Sequence, residues 1–292
     1  MAVSRQNLAA YLVTAAGATL WSQPVVAQSD GVSLRGEVFG GIARDERPRI
    51  GPKKEFSGGA LPSVVFNPNG AVVVQLDGMV ADHLGDTIWA GGGHIGVRAN
   101  DSTTIGVYAA YSHFDRAINV DSYRIGGEAR FSGGPVSVSG VVGYEHSDRG
   151  RLVVGPSPSL IASARYTKRG SVFSMADVIF HPHDSWAVTA GHRYVGRRHT
   201  AAVGAEAGLG SSGVSLFAEG RVGNERYTAG WAGVRVKLGA RSGPLREREN
   251  AGFTNRLKDE LFWPNRVVVP PPAPPEPPVG GGGSVCCGPC LS

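Results

Sequence analysis

The sequence predicts an all-β protein: an antiparallel up-and-down transmembrane β-barrel of about 10–12 strands with a C-terminal Pro/Gly-rich tail. Three observations carry that prediction. The N-terminus reads as an export signal, apolar and polar residues alternate with a period of two along most of the chain, and turn sequences punctuate the alternation. Composition sets the bounds. With 292 residues, 41% of them hydrophobic, the chain is long enough for one large unit and too apolar for general disorder. No segment after the N-terminus offers about 18 consecutive apolar residues, so a helical span is not expected. The net charge of +5 comes from Lys and Arg spread along the chain, which argues against a nucleic-acid partner.

The first element is the signal. Arg5 gives a positive start, Leu8 to Trp21 is apolar with small residues, and Val25-Val26-Ala27 precedes Gln28. Small residues before the junction suit signal peptidase, so cleavage is expected between Ala27 and Gln28. Residues 1–27 are then the signal peptide and 28–239 the barrel.

The strands follow in order. Val32, Leu34, Gly36, Val38, Gly40 and Ile42 oppose Ser33, Arg35 and Glu37. Tyr123, Ile125, Gly127, Ala129 and Phe131 oppose Ser122, Arg124, Gly126, Glu128 and Arg130. Val214, Leu216, Ala218, Gly220 and Val222 oppose Ser215, Glu219 and Arg221, with Phe217 the exception. Ala232, Val234, Val236 and Leu238 oppose Gly233, Arg235 and Lys237. Noisier segments lie near 71–83, 87–99, 103–115, 135–147, 171–181, 186–197 and 199–210. Turn signals such as Asn100-Asp101-Ser102, Ser132-Gly133-Gly134 and Gly223-Asn224-Glu225 separate them, and short turns require antiparallel neighbours. The count comes to about eleven, and a single-chain bacterial barrel has an even number, hence 10 or 12. Region 149–170, with Gly155-Pro156-Ser157-Pro158, is either a long loop or one more strand.

Alternation alone does not say which face is outside. Segments of about ten residues match a tilted membrane strand, and an apolar face rich in Gly and Ala would fill a sandwich core poorly. Aromatics recur towards strand ends, at Trp89, Tyr111, Phe114, Tyr144, Phe180, Trp186, Tyr194, Tyr227 and Trp231, as interfacial girdles do. The apolar face is therefore expected to meet outer-membrane lipid. The charged face would line the lumen: Arg35, Glu37, Asp77, Arg124, Glu128, Arg130, Glu145, Arg193, Glu206, Glu219, Arg221, Arg235 and Lys237. With both signs present, this lumen could close by pairing or stay open as a narrow polar channel.

The stretches Gln75-Leu76-Asp77-Gly78, Gly140-Val141-Val142-Gly143-Tyr144-Glu145, Ala190-Gly191-His192-Arg193-Tyr194 and Ser215-Leu216-Phe217-Ala218-Glu219-Gly220-Arg221 resemble small porin-like outer-membrane proteins of Gram-negative bacteria. Trp231 to Leu238 resembles the last-strand signal read by the barrel assembly machinery, through Gly233, Val236 and Leu238. It departs from that pattern in placing Trp231 where a polar residue is usual and in being followed by a long tail. The resemblance implies an outer-membrane location and porin-like passage of small hydrophilic solutes, or an envelope-structural role, without cofactor. The alternatives are a barrel enzyme of the acyl-hydrolase type acting on outer-membrane lipid, or a soluble secreted β-sandwich binding protein.

From Gly239 the texture changes. Residues 240–264 read as a charged linker with a short amphipathic helix. Phe253, Leu257 and Leu261 recur every four residues, Arg256, Lys258, Asp259 and Glu260 sit opposite, and Pro264 ends it. Residues 265–292 form a Pro/Gly-rich tail: a polyproline spacer at Pro270–Pro278, a glycine hinge, then Cys286, Cys287 and Cys290. In an oxidising compartment these thiols suit a disulfide or a tether, and the tail is expected to reach a periplasmic partner. Cys287-Gly288-Pro289-Cys290 has redox-dithiol spacing but no βαβ context to activate it. His181-Pro182-His183-Asp184 reads as a turn in preference to a metal site. His146-Ser147-Asp148 invites a hydrolase reading, but adjacent strand residues point to opposite faces, and no catalytic residue or metal ligand is assigned.

Overall fold

The computed structural model describes residues 31–47, 51–115, 120–152, 164–210, 212–239, 245–246 and 252–262. The signal peptide with its Ala27–Gln28 junction, and the cysteine tail, lie outside the described residues.

Twelve strands follow one another: β1 (Val32–Arg47), β2 (Gly51–Phe66), β3 (Val72–His83), β4 (Asp86–Asn100), β5 (Thr103–Asp115), β6 (Val120–Gly133), β7 (Val136–Leu152), β8 (Ala164–His183), β9 (Trp186–Val195), β10 (Arg198–Gly208), β11 (Val214–Gly223) and β12 (Tyr227–Gly239). Each pairs antiparallel with its neighbours in sequence, and β1 pairs with β12 to close the barrel. The seam runs from Ser33↔Gly239 to Arg44↔Thr228, so the predicted last-strand signal is the closing strand. Closure leaves no unpaired sheet edge. The turns Leu84-Gly85 and Gly196-Arg197 have positive φ at both residues (55° and 77°, 60° and 65°), the backbone that two-residue hairpins need.

Eleven of these strands coincide with alternating segments of the sequence. The twelfth is β2. Its pattern is obscured by Gly58, Gly59 and Pro62. The pairing of β2 with β3 skips Leu61 and Pro62, between Ala60↔Val80 and Ser63↔Asp77. Proline has no N–H to give to a ladder, so the break falls where the chemistry requires it. Around 149–170, β7 continues to Leu152 and β8 begins at Ala164, so much of that stretch extends one hairpin.

The outer surface is apolar. Leu76, Ile95, Ile105, Val107, Ile125, Val142, Val172, Val203 and Val222 are all more than half exposed. A continuous band of this kind is unfavourable in water and suits acyl chains. Aromatics rim the band: Phe56, Trp89, Tyr123 and Tyr144 towards one end, Phe66, Phe131, Phe180 and Trp186 towards the other. Trp89, Tyr111 and Tyr123 pack in sequence, with ring centroids 5.2 Å and 5.0 Å apart. Three residues expected in the girdle belong inside instead. Phe114, Tyr227 and Trp231 are buried, and the Trp231 indole donates to Ser57 Oγ at 2.8 Å. They sit on the inward parity of their strands, and an aromatic near a strand end carries no sign of which face it occupies.

The two rims differ. The first and last strands have their free ends on one, which we call the terminal rim. It carries the β2–β3, β4–β5, β6–β7, β8–β9 and β10–β11 turns. The opposite rim carries the longest connection, residues 153–163, and the long β1–β2 and β7–β8 hairpins.

Candidate functional site: a lumen occupied by the chain's own C-terminal segment

The thirteen charged residues expected on the polar face lie on the inward parity of their strands, and seven of them, Arg35, Glu37, Arg124, Arg130, Arg193, Glu219 and Arg221, contact a segment that the sequence assigned to a linker after the barrel. Residues 252–262 lie in the lumen, Leu257–Phe262 forming a 3₁₀ helix. The sequence reads 240–264 as a charged linker with a short amphipathic helix; the helix in the structure is Leu257–Phe262, and it lies inside the barrel. Phe253, Leu257 and Leu261 are buried, as that expectation had them, but so are Arg256, Lys258, Asp259 and Glu260. The charged side is satisfied by the barrel wall instead of water.

Each charge of the segment finds its opposite. Lys258 Nζ pairs with Glu37 and, at 3.1 Å, with Glu219. The same ammonium lies over the rings of Phe217 (4.4 Å) and Phe39 (5.1 Å). Phe217, the exception in its strand's pattern, is thus part of the seat. Arg256 pairs with Asp177 and donates to Ser139 Oγ at 3.0 Å. Asp259 accepts from Arg193 at 2.9 Å and pairs with Arg221 at 2.8 Å. Glu260 pairs with Arg124 and accepts from Ser112 Oγ at 2.8 Å. Removing one member would strand its partner in a low-dielectric interior, which is why such charges occur in matched sets.

Backbone and polar contacts fix the entry of the segment. Arg130 donates to the Gly252 carbonyl and Arg35 to the Phe253 carbonyl, both at 3.1 Å. The Phe253 N–H donates to Gln75 Oε1 at 3.0 Å, and Asn255 Nδ2 donates to Ser63 Oγ at 3.0 Å. The Phe253 ring stacks on His94, centroids 5.3 Å apart and planes 12° from parallel. That imidazole is buried between Asp77 (2.9 Å) and Glu128 (2.8 Å).

The wall behind Phe253 and Leu257 is glycine. An added Cβ would come within 2.4 Å of the Phe253 ring at Gly96, 2.8 Å at Gly106, and 3.2 Å of Leu257 at Gly92. These inward glycines form a smooth groove that any side chain would fill.

The remaining wall residues complete the network. Arg124 also contacts Glu145 at 3.2 Å, Arg193 contacts Asp177 at 2.7 Å, and Arg221 contacts Glu219 at 2.7 Å. Arg235 pairs with Glu37 at 2.7 Å and also with Glu206. On this side a cavity of about 190 Å³ remains between the segment and the wall. Its lining includes Arg35, Arg130, Arg193, Arg221, Arg235, Lys237, Arg256 and Lys258 against Glu37, Asp177, Glu206, Glu219 and Asp259, an excess of three positive charges.

The other sequence motifs resolve simply. His181 is buried near the end of β8 while His183, its last residue, is exposed beside the Asp184-Ser185 turn, its Nδ1 3.0 Å from Ser185 Oγ. Among the described residues no group of three His, Cys, Asp or Glu is placed to hold a metal ion. Ser147 is inward and buried, and His146 lies on the alternate parity of β7. Sequence reasoning missed the lumen segment itself. The one available signal was that its charges complement, sign for sign, those on the polar face of the strands.

No family model and no curated protein matches the chain. Solved structures do. The translocator domain of autotransporter NalP from Neisseria meningitidis is 12% identical, with a TM-score of 0.51 over 80% of this chain and 97% of that one. The KdgM porin is 12% identical at a TM-score of 0.45, covering 69% of this chain and 98% of its own. The NanC porin is 9% identical at 0.46, covering 70% and 100%. At these identities the likeness is one of fold. The chain is a closed twelve-stranded barrel of the outer-membrane type, with its own C-terminal segment seated in the lumen.

Proposed function

We propose that this protein stands in the outer membrane of a Gram-negative bacterium as a porin-like barrel for small hydrophilic solutes. Its C-terminal segment acts as a plug that holds the pathway closed. The observation that supports this reading is a lumen inside an apolar exterior in which ion-paired residues of the same chain sit beside a charged cavity of about 190 Å³, while apolar wall side chains such as Met79, Phe114, Phe173 and Trp231 fill the space around Leu257 and Leu261. A lumen meant only to be filled needs no detachable element; twelve strands lie between the side-chain-filled eight and the open sixteen. The excess of three cationic side chains around the cavity favours anionic solutes, because arginine forks suit carboxylate and phosphate oxygens.

Conductance in planar bilayers tests this. The full chain is expected to show rare, short openings, and a chain ending at Gly239 steady conductance. Silence from the truncated barrel, with its heat-modifiable gel mobility intact, would replace the channel by an envelope-structural role. An acyl-hydrolase reading gains nothing from the geometry, since His146 and Ser147 sit on opposite faces of β7.

A further inference from the structure

The sequence offered His181 and His183 as its nearest approach to a metal site, and the fold buries the first and exposes the second. It brings together a different pair. His192 of β9 and His199 of β10 are both exposed and lie on the outward parity of their strands. The two strands are joined by the tight Gly196-Arg197 turn, and their register sets Tyr194 opposite His199 and Ala201 opposite His192. The histidines are therefore diagonal neighbours on one face, within reach of long side chains. His192 Nε2 lies 3.0 Å from His199 Nδ1, with the ring centroids 5.2 Å apart. The Tyr194 ring packs against His199 at 4.7 Å and holds its orientation. Towards the middle of both strands the outward positions are exposed and apolar, Val188 and Ala190 on β9, Ala201 and Val203 on β10. The pair thus stands at the edge of the apolar band.

An interfacial anchor turns its polar tip to water. These two imidazoles turn theirs to each other, and a hydrogen bond between neutral groups at an exposed site adds little to stability. Their spacing has a meaning in coordination chemistry. Two nitrogens about 2.0–2.1 Å from one ion and at a right angle to each other lie about 2.8–3.0 Å apart, whereas a tetrahedral angle spreads them to about 3.3–3.4 Å. The observed 3.0 Å matches the right-angled arrangement, which copper(II) and nickel(II) prefer. We propose that His192 and His199 form a two-imidazole site for a late first-row divalent ion, copper(II) bound most tightly, on the outer face of the β9–β10 hairpin. A small swivel of the rings turns both lone pairs onto one point, while the far nitrogen of each ring keeps its proton. Water fills the remaining positions of the ion. No backbone movement is needed, because the tight turn and the strand register already hold the two side chains together.

Copper(II) binding to the full chain tests this site independently of any conductance. The folded barrel is prepared in detergent without a histidine tag, and with Cys286, Cys287 and Cys290 changed to serine because thiolates would compete for the ion. Heat-modifiable gel mobility confirms the fold of every variant. The parent is expected to bind one ion, with electron paramagnetic resonance showing two imidazole nitrogens in its equatorial plane. His192→Ala and His199→Ala should each remove one of those nitrogens. Each should also weaken binding by at least the roughly 10–100-fold that losing a supporting partner of a ligand costs. His183→Ala should leave spectrum and affinity unchanged. A two-nitrogen spectrum that survives in His192→Ala or His199→Ala, or the absence of saturable copper binding by the parent, overturns the inference.

Discussion

The two walls of the lumen hold the same segment by different physics. On the β4–β5 side, Gly92, Gly96 and Gly106 leave a groove into which Phe253 and Leu257 fit by shape. On the β8–β12 side, together with β1, paired charges grip Arg256, Lys258 and Asp259 and leave a cavity beside them. Shape complementarity acts over contact distance and leaves no room for solute, whereas long charged side chains reach across a gap. The difference teaches where a pathway would open: along the charged wall, while the glycine wall sets the register of the plug.

Three substitutions break or sharpen that contrast. The largest effect is expected from Asp259→Ala, which leaves Arg193 and Arg221 facing each other without their shared carboxylate. Breaking a buried pair of this kind costs about 3–5 kcal/mol, so the full chain should conduct nearly as the truncated barrel does. Bilayer recording checks this, and a variant as silent as the parent would remove electrostatic gripping from the account. Gly96→Ala should act on the other wall by overpacking Phe253, at about 1–3 kcal/mol. Open probability should rise, and the combination with Phe253→Ala should rise by less than the sum of the two, since the ring is gone and only the Ile105 carbonyl, 2.8 Å from the added Cβ, is still crowded. Full additivity of the two would show that Gly96 acts elsewhere. The smallest effect is expected from Lys237→Gln, which lowers the cationic excess of the cavity by one at a residue of β12 and leaves the sequence of the segment unchanged. Reversal potentials in a salt gradient should shift towards weaker anion preference, and an unchanged potential would separate the cavity from the conducting path.

Much of the barrel was legible because its grammar is local. Alternation such as Tyr123 to Phe131 against Ser122 to Arg130 needs no knowledge of the rest of the chain. β2 was illegible for a local reason too: Gly58, Gly59 and Pro62 carry no hydrophobic signal. The plug was missed for a different reason. Arg256, Lys258, Asp259 and Glu260 look like any solvated helix face, and their meaning lies in Asp177, Glu37, Arg193 and Arg124, between about 60 and 220 residues away. Complementarity over that separation is invisible to a window. Trp231 shows the intermediate case. Its inward parity was readable from its strand, but a large aromatic on a polar face gains its sense from Phe39 and Ser57 on the neighbouring strands β1 and β2, at the far end of the sequence.

The seated segment and its socket belong to one chain, with only twelve residues of sequence between Gly239 and Gly252 and Leu245 among them already anchored against Ile179 and Ala187. On the plug reading, the docking of Phe253 and Lys258 is therefore an event within one molecule, and the fraction of occupied lumens would not depend on how densely the membrane is populated.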